Sequence, residues 1–266
     1  MEFNGIDISR HQGDIDFKTV KDSGIDFIMV RSSYGSELDT KFLYNLEQIK
    51  KYNIPCGIFH FTLAVNEAQA IEEIDNLFKT IKGMKFEYPV AWDMEDEGTR
   101  YTGMSRDKLT SIAVAGLNRI EEYGYFAINY TNPNWLEYRY NKTPLSKYDL
   151  WLAAWQYNKP TKYSYGMWQY TSNGKIPGIV GRVDLDKAYK NYKNIMVTNG
   201  LNGFSTSVDI PVENYKRYVV KPGDSFWSIA QSQLGDGRRY EEIAYLNNML
   251  PSDTIYKGNV LKIPRS

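Results

Sequence analysis

Residues 88–97 read YPVAWDMEDE. An apolar run carries Asp93 and Glu95 at its end, and two further acids, Asp96 and Glu97, follow at once. A short apolar run of this kind predicts a buried strand. Side chains alternate faces along a strand, so Asp93 and Glu95 point one way and Trp92 and Met94 the other. If the sheet closes into a β/α barrel, the face of Asp93 and Glu95 is the interior, at the strand's C-terminal end. That end is where catalytic groups of such barrels collect.

The rest of the chain supports a barrel. Seven other strand-like runs are GIDIS (5–9), DFIMVRSS (26–33), PCGIFHFTL (55–63), YFAINYT (125–131), DLWLAAW (149–155), YGMWQY (165–170) and RVDLD (182–186). Between the early runs lie helical patterns. Residues 66–82 place Ile71, Ile74, Leu77, Phe78 and Ile81 at helical spacing after a cap at Asn66. Residues 105–123 place Leu109, Ile112, Leu117 and Ile120 likewise after a cap at Ser105. Gly24, Gly83 and Gly124 stand where helices should stop. The later runs are too close together for crossover helices, which predicts an irregular second half with antiparallel strands. The expected fold is α/β: an irregular β/α barrel over 1–193, a turn-rich linker over 194–216, and a small α+β unit over 217–266. In that last unit the order strand, helix, helix, strand is expected, with Asp224 or Ser225 capping the first helix.

Composition narrows the function. The chain has 266 residues and a formal net charge of zero, from 32 basic and 32 acidic residues. No global field favours nucleic acid or an anionic membrane. Cys56 is the one cysteine and His11 and His60 the only histidines, which leaves no intrachain disulfide and no zinc set. No metal or other cofactor is expected. The N-terminus MEFNGIDIS lacks a secretory signal pattern, and no run is long and apolar enough for a membrane span. The expectation is a protein made in a cytoplasm. Its oligomeric state is not legible.

Two further strand ends carry acids. Asp7 lies in GIDIS and Asp184 in VDLD, each flanked by apolar residues that face the other way. Barrel closure would make the first and last strands neighbours, so Asp7, Asp93, Glu95 and Asp184 would share one mouth. Crowded carboxylates raise at least one pKa and keep a proton available. That is the equipment of glycoside hydrolysis; a calcium or magnesium site is the competing chemistry. Tyr34, Phe61, Tyr130, Trp151, Trp155, Trp168 and Tyr170 fall at or near strand ends and could wall the cleft as platforms for sugar rings. Barrel core is the competing reading, held level for Trp151 and Trp155.

With these residues in view, the first 190 residues resemble the glycoside hydrolase family 25 lysozymes. The resemblance rests on GIDISRHQGDIDF, GIFHF, WDME, INYT, WLAAW, MWQYT and VDLD, in that order. It implies cleavage of the β-1,4 bond between N-acetylmuramic acid and N-acetylglucosamine in peptidoglycan. It implies Glu95 as general acid/base, Asp93 as the partner supporting the reacting centre, and Asp7 and Asp184 as the remaining cleft acids. The chain departs from the family's usual pattern at Arg10 and His11, where an aromatic is frequent, and at Asp186, where Asn is frequent. The stretch 218–264, with PGDSFWSIA, LNN and GNVLKIP, resembles a LysM module. That implies binding of N-acetylglucosamine-containing glycans through Gly223, Asp224, Ser225 and Phe226, and through the loop of Asn247, Leu250 and Pro251. The combination without a signal suggests a phage endolysin held in the host cytoplasm until lysis, with a bacterial autolysin as the alternative origin. A glycan-binding protein with an inactive barrel, or a hydrolase of another N-acetylglucosamine polymer such as chitin, are the alternatives.

Overall fold

The computed structural model describes residues 2–95, 98–156, 158–205, 215–247, 249, 251 and 255–265. Asp96, Glu97 and Leu250 therefore lie outside the described residues. The chain separates into two compact units, residues 1–206 and 207–266.

The first unit is built on β1 (Phe3–Ile8), α1 (Phe17–Asp22), β2 (Phe27–Tyr34), β3 (Glu37–Leu38), α2 (Phe42–Lys51), β4 (Cys56–Phe61), α3 (Glu67–Ile81), β5 (Val90–Asp93), α4 (Arg106–Glu122) and β6 (Ala127–Thr131). A π-helical turn (Trp135–Arg139), α5 (Lys142–Leu145), β7 (Asp149–Ala153), β8 (Met167–Gly174), β9 (Val183–Ala188) and α6 (Tyr192–Asn199) follow. Eight strands close into a barrel, with β3 a short hairpin arm on β2. Pairing is parallel from β1 through β2, β4, β5, β6 and β7 to β8. β9 closes the barrel antiparallel to both β8 and β1.

Two apolar layers follow from strand alternation. Ile6, Ile28, Val30, Ile58, Val90 and Trp92 face the helices. Phe27, Met29, Phe59, Ala91, Ile128, Tyr130, Trp151 and Met167 fill the interior. The expected caps hold: Asn66 accepts from the Gln69 N–H, and Ser105 from the Lys108 N–H. Gly116 in α4 has a packing reason. A Cβ there would sit 2.3 Å from the Trp92 ring, so the helix can lie on β5 only without one. Helices occupy the early crossovers, while β7, β8 and β9 follow one another without α-helices between them.

The stretch expected to begin a linker at 194 differs. Residues 192–199 form α6, capped by Asn191, with Tyr192 and Met196 fully buried in the barrel interior cluster. Asn202 follows at φ 53°, fully buried. Its Nδ2 donates to the Phe86 and Tyr88 carbonyls, and its Oδ1 accepts from the Phe126 N–H. The amide thus stitches together the segments leading into β5 and β6. The turn-rich composition masked this, because a single Asn in the left-handed region reads like any loop residue.

The second unit runs β10 (Tyr215–Val219), α7 (Phe226–Leu234), a 3-10 turn (Gly237–Arg239), α8 (Tyr240–Leu246) and β11 (Val260–Pro264). β10 and β11 pair antiparallel, giving the expected βααβ order. Ser225 caps α7 in a reciprocal box with Ser228. The core is Val220, Phe226, Ile229, Ala230, Ile243, Ala244, Leu261 and Ile263, with Leu234 half-buried against it.

Candidate active site

Asp7 ends on β1 one residue before Ile8, and the antiparallel register sets it directly opposite Asp184 on β9. Asp93 is the last residue of β5, and Glu95 lies two residues past it, beyond the strand. Trp92 and Met94 turn into the helix layer, as alternation requires. All four acids line one cleft of about 310 Å³ at the C-terminal mouth. Phe59, Phe61, Tyr130, Trp151, Trp155, Gln169, Arg31 and His11 share its lining.

Electrostatics register the convergence. Burial first, then the charges of Glu95, Asp93, Asp7 and Asp184, push the Tyr130 hydroxyl well above its ordinary range. Asp7 is likewise pushed well up, by burial, then by Asp186 and Asp184. Burial also raises Asp184, against opposing contributions from Asp7 and Arg182. A cluster of this kind holds protons that isolated carboxyls would have lost. Among the described residues no group of three or more metal-ligating side chains is positioned to hold an ion.

The aromatic walls divide. Phe61 and Tyr130 line the cleft, and Tyr34 stacks on Phe61 with ring centroids 5.1 Å apart. Trp151 is a core residue with one edge in the cleft floor, packed edge-on to Tyr130 at 4.8 Å. Trp155 stands 63 % exposed at the rim, its Nε1–H held by Gln169 Oε1 at 2.9 Å. Trp168 and Tyr170, expected as cleft walls, do not line the cleft. They pack on the outer side of β8 and β7 with Leu136, Leu152 and Ala154. Gln169 takes the interior side, so its neighbours must take the exterior one. Gln169 itself carries no sequence signal as a site residue. In the structure its Oε1 accepts from Tyr130 and Trp155 while its Nε2 donates to Asp7 Oδ2 at 2.8 Å. A buried amide between three cleft groups could be found only once β8's register was known.

Arg31 reaches the cleft wall from β2, paired with buried Asp39 at 2.8 Å; Asp39 also accepts from the Arg10 N–H. A larger hollow of about 800 Å³ sits at the N-terminal end of the barrel among Ile49, Cys56, Met84 and Phe86. Burial holds the Cys56 thiol far above its ordinary range, so it is an inert core group.

In the second unit, Phe226 is core, Ser225 is a helix cap, and Asp224 Oδ2 accepts from the Tyr218 hydroxyl and the Lys221 N–H. The Asn247 amide bridges the Ile243 and Lys262 carbonyls and the Lys262 N–H. These contacts hold the fold, and Lys221, Pro222, Gly223 and Ser225 are exposed at that turn. Pro251 is half-buried.

Residues 6–179 match the model of glycosyl hydrolases family 25, and residues 218–264 match the LysM domain. The chain belongs to glycosyl hydrolases family 25. Its barrel is 29 % identical over 185 residues to an autolytic lysozyme of Clostridium acetobutylicum, covering 69 % of this chain and 55 % of that one. It is 26 % identical over 200 residues to lysozyme M1 of Streptomyces globisporus, covering 69 % and 66 %. The chain thus spans between half and two-thirds of the length of these curated relatives. The modular autolysin LytC of Streptococcus pneumoniae, solved with a synthetic peptidoglycan ligand, superposes with TM-score 0.64 at 28 % identity over 71 % of this chain and 47 % of that one. A family 25 glycosyl hydrolase from Bacillus anthracis shares the fold at TM-score 0.63 and 21 % identity, covering 75 % and 93 %. The family 25 barrel and the LysM domain therefore occupy the two compact units of the chain.

Proposed function

We propose that the protein is a peptidoglycan muramidase that hydrolyses the β-1,4 bond from N-acetylmuramic acid to N-acetylglucosamine. The observation that carries this is the gathering of Asp7, Asp93, Glu95 and Asp184 around Tyr130 at the mouth of a family 25 barrel. In this reading Glu95 protonates the leaving oxygen and later activates the incoming nucleophile. Asp93, two residues earlier and largely buried, supports the developing positive centre or orients a substrate acetamide. Asp7 and Asp184 hold sugar and keep the mouth proton-rich. Tyr34, Phe61, Tyr130 and Trp155 give sugar rings flat faces to lie on.

The LysM domain would hold the enzyme on its polymer through the backbone of the loops at Gly223–Phe226 and Asn247–Pro251. The proposal includes an endolysin role, with release from a bacterial cytoplasm only at lysis. Production in a bacterium with and without a membrane-permeabilising protein tests that part. Lysis confined to the permeabilised cells is expected, and lysis in both would remove it.

The central test is reducing-end analysis of purified peptidoglycan. Wild type should release new reducing-end N-acetylmuramic acid. Glu95→Gln keeps shape and loses the titrating proton, so it should lose at least about a hundredfold in rate while still sedimenting with walls. No new ends with wild type would leave a glycan receptor or an enzyme for another polymer. A Glu95→Gln protein that unfolds would point to a structural acid instead.

A further inference from the structure

Asp186 sits two residues beyond Asp184 on β9, on the same face, opposite Gly5 on β1 and Gln169 on β8. It is fully buried, beneath the floor of the cleft rather than in its lining. Its Oδ1 accepts from Trp151 Nε1 at 2.8 Å. Indole nitrogen only donates, so Oδ1 is the acceptor end of the group. Its Oδ2 is equally buried and meets no N–H or O–H donor among the described residues. The carboxyls of Asp186 and Asp7 hydrogen-bond each other, an interaction that raises Asp7 and lowers Asp186. Two carboxyls can satisfy each other only if a proton lies between them.

Asp7 is held from a second side. Gln169 Oε1 is committed to two donors, the Tyr130 hydroxyl and the Trp155 indole, which fixes the amide so that Nε2 faces Asp7 Oδ2. We propose that Asp186 is a positioning residue of the cleft, whose Oδ2 shares one proton with the Asp7 carboxyl and which, together with Gln169, sets that carboxyl in its orientation toward the mouth. The proposal rests on the muramidase reading for what Asp7 does, but the proton itself is a property of the fold.

Burial raises Asp186 to about 8, with the charge of Asp184 adding to the rise and the contacts of Trp151 and Asp7 opposing it. The groups that face it are Asp7 from β1 and Asp184 from its own strand; β7 brings Trp151, and β8 brings Gln169 with the Tyr170 phenol within range of its charge. Lys187, next in sequence, is engaged by Glu2 and lies over the Tyr170 ring. The neutral form is thus favoured in the folded state. An unfolded Asp ionises near 4. Stability contributed by the neutral Asp186 is fully present below about pH 4. It is lost as pH rises toward about 8.

Asparagine keeps a hydrogen between the two groups without titrating: its Oδ1 can accept from Trp151 and its Nδ2 can donate to an ionised Asp7. The experiment compares wild type, Asp186→Asn and Asp186→Leu. Thermal unfolding is followed from about pH 4 to about pH 8, across the ordinary and raised ranges of the carboxyl. Peptidoglycan reducing ends are measured at about pH 6, near the middle of that window. The stability advantage of Asp186→Asn over wild type should grow steadily as pH rises, because Asp7 and Asp184 titrate in both proteins. Asp186→Asn should retain most of the turnover, and Asp186→Leu, which offers Asp7 no hydrogen-bond partner, should lose about tenfold or more. A stability gap that does not change with pH would overturn the proposal, as would Asp186→Asn losing turnover as fully as Asp186→Leu. If Asp186→Leu does not fold, the asparagine variant decides alone. If wild type releases no reducing ends, the muramidase reading fails, while the pH dependence of the gap still reports the proton.

Discussion

Trp151 and Trp155 come from one run, DLWLAAW, and four residues apart they do different work. Alternation puts both on the interior side. Trp151 lies within β7 and is swallowed by the core; Trp155 lies past the strand's end and stays 63 % exposed at the rim. The sequence could not separate them, because the difference is where the strand stops. If Trp155 is a sugar platform, Trp155→Ala should lower kcat/KM on peptidoglycan about tenfold, the scale of one aromatic contact. Its unfolding midpoint should hardly move. An unchanged kcat/KM would assign the rim to something other than substrate. The four acids were legible because strand alternation and barrel closure fix them with no knowledge of packing. Gln169 and Asp186 were not, because their roles depend on what lies opposite them across the interior.

At the scale of elements, β4 and α3 are joined by a polar knot. Glu73 on α3 is buried, although the helix pattern gives no hint of it. Its carboxylate contacts His60 Nε2 at 2.9 Å and accepts from Thr62 Oγ1 at 2.6 Å and the Leu63 N–H at 3.2 Å. His60 Nδ1 meets Ser33 Oγ at 2.7 Å on β2. This places His60 as a structural histidine of the helix layer, its ring tilted against Trp92 with centroids 5.4 Å apart. Glu73→Ala strands three donors in a buried site and should cost about 3 kcal/mol in urea unfolding. Glu72→Ala, one residue away and exposed, should stay within about 0.5 kcal/mol. Equal effects would mean that the knot adds nothing to the docking of α3. The same scale explains β8. Its run YGMWQY was legible as a strand, but both aromatics beside Gln169 went to the outer face, because a one-residue choice of register reverses every side chain.

For the molecule as a whole, each unit carries its own apolar core, and the chain order of the two was legible from composition and periodicity. A bound tether raises local enzyme concentration without adding a catalytic contact. Removal of residues 207–266 should therefore slow the clearing of intact walls by about tenfold or more. It should leave release of reducing ends from small soluble glycan fragments unchanged. Equal loss on both substrates would give the LysM domain a part in catalysis or folding instead. The boundary between the units is the least legible feature, since turn-rich composition from residue 194 onward reads as slack chain.

Asn202 has a practical consequence for anyone recombining such proteins. A wall-binding module grafted onto this barrel after residue 193 would discard most of α6 and the amide that closes the segments before β5 and β6. The hybrid would carry all four cleft acids and still fail, its barrel unlatched beneath them. A seam placed after residue 205 keeps the latch and leaves the choice of module free.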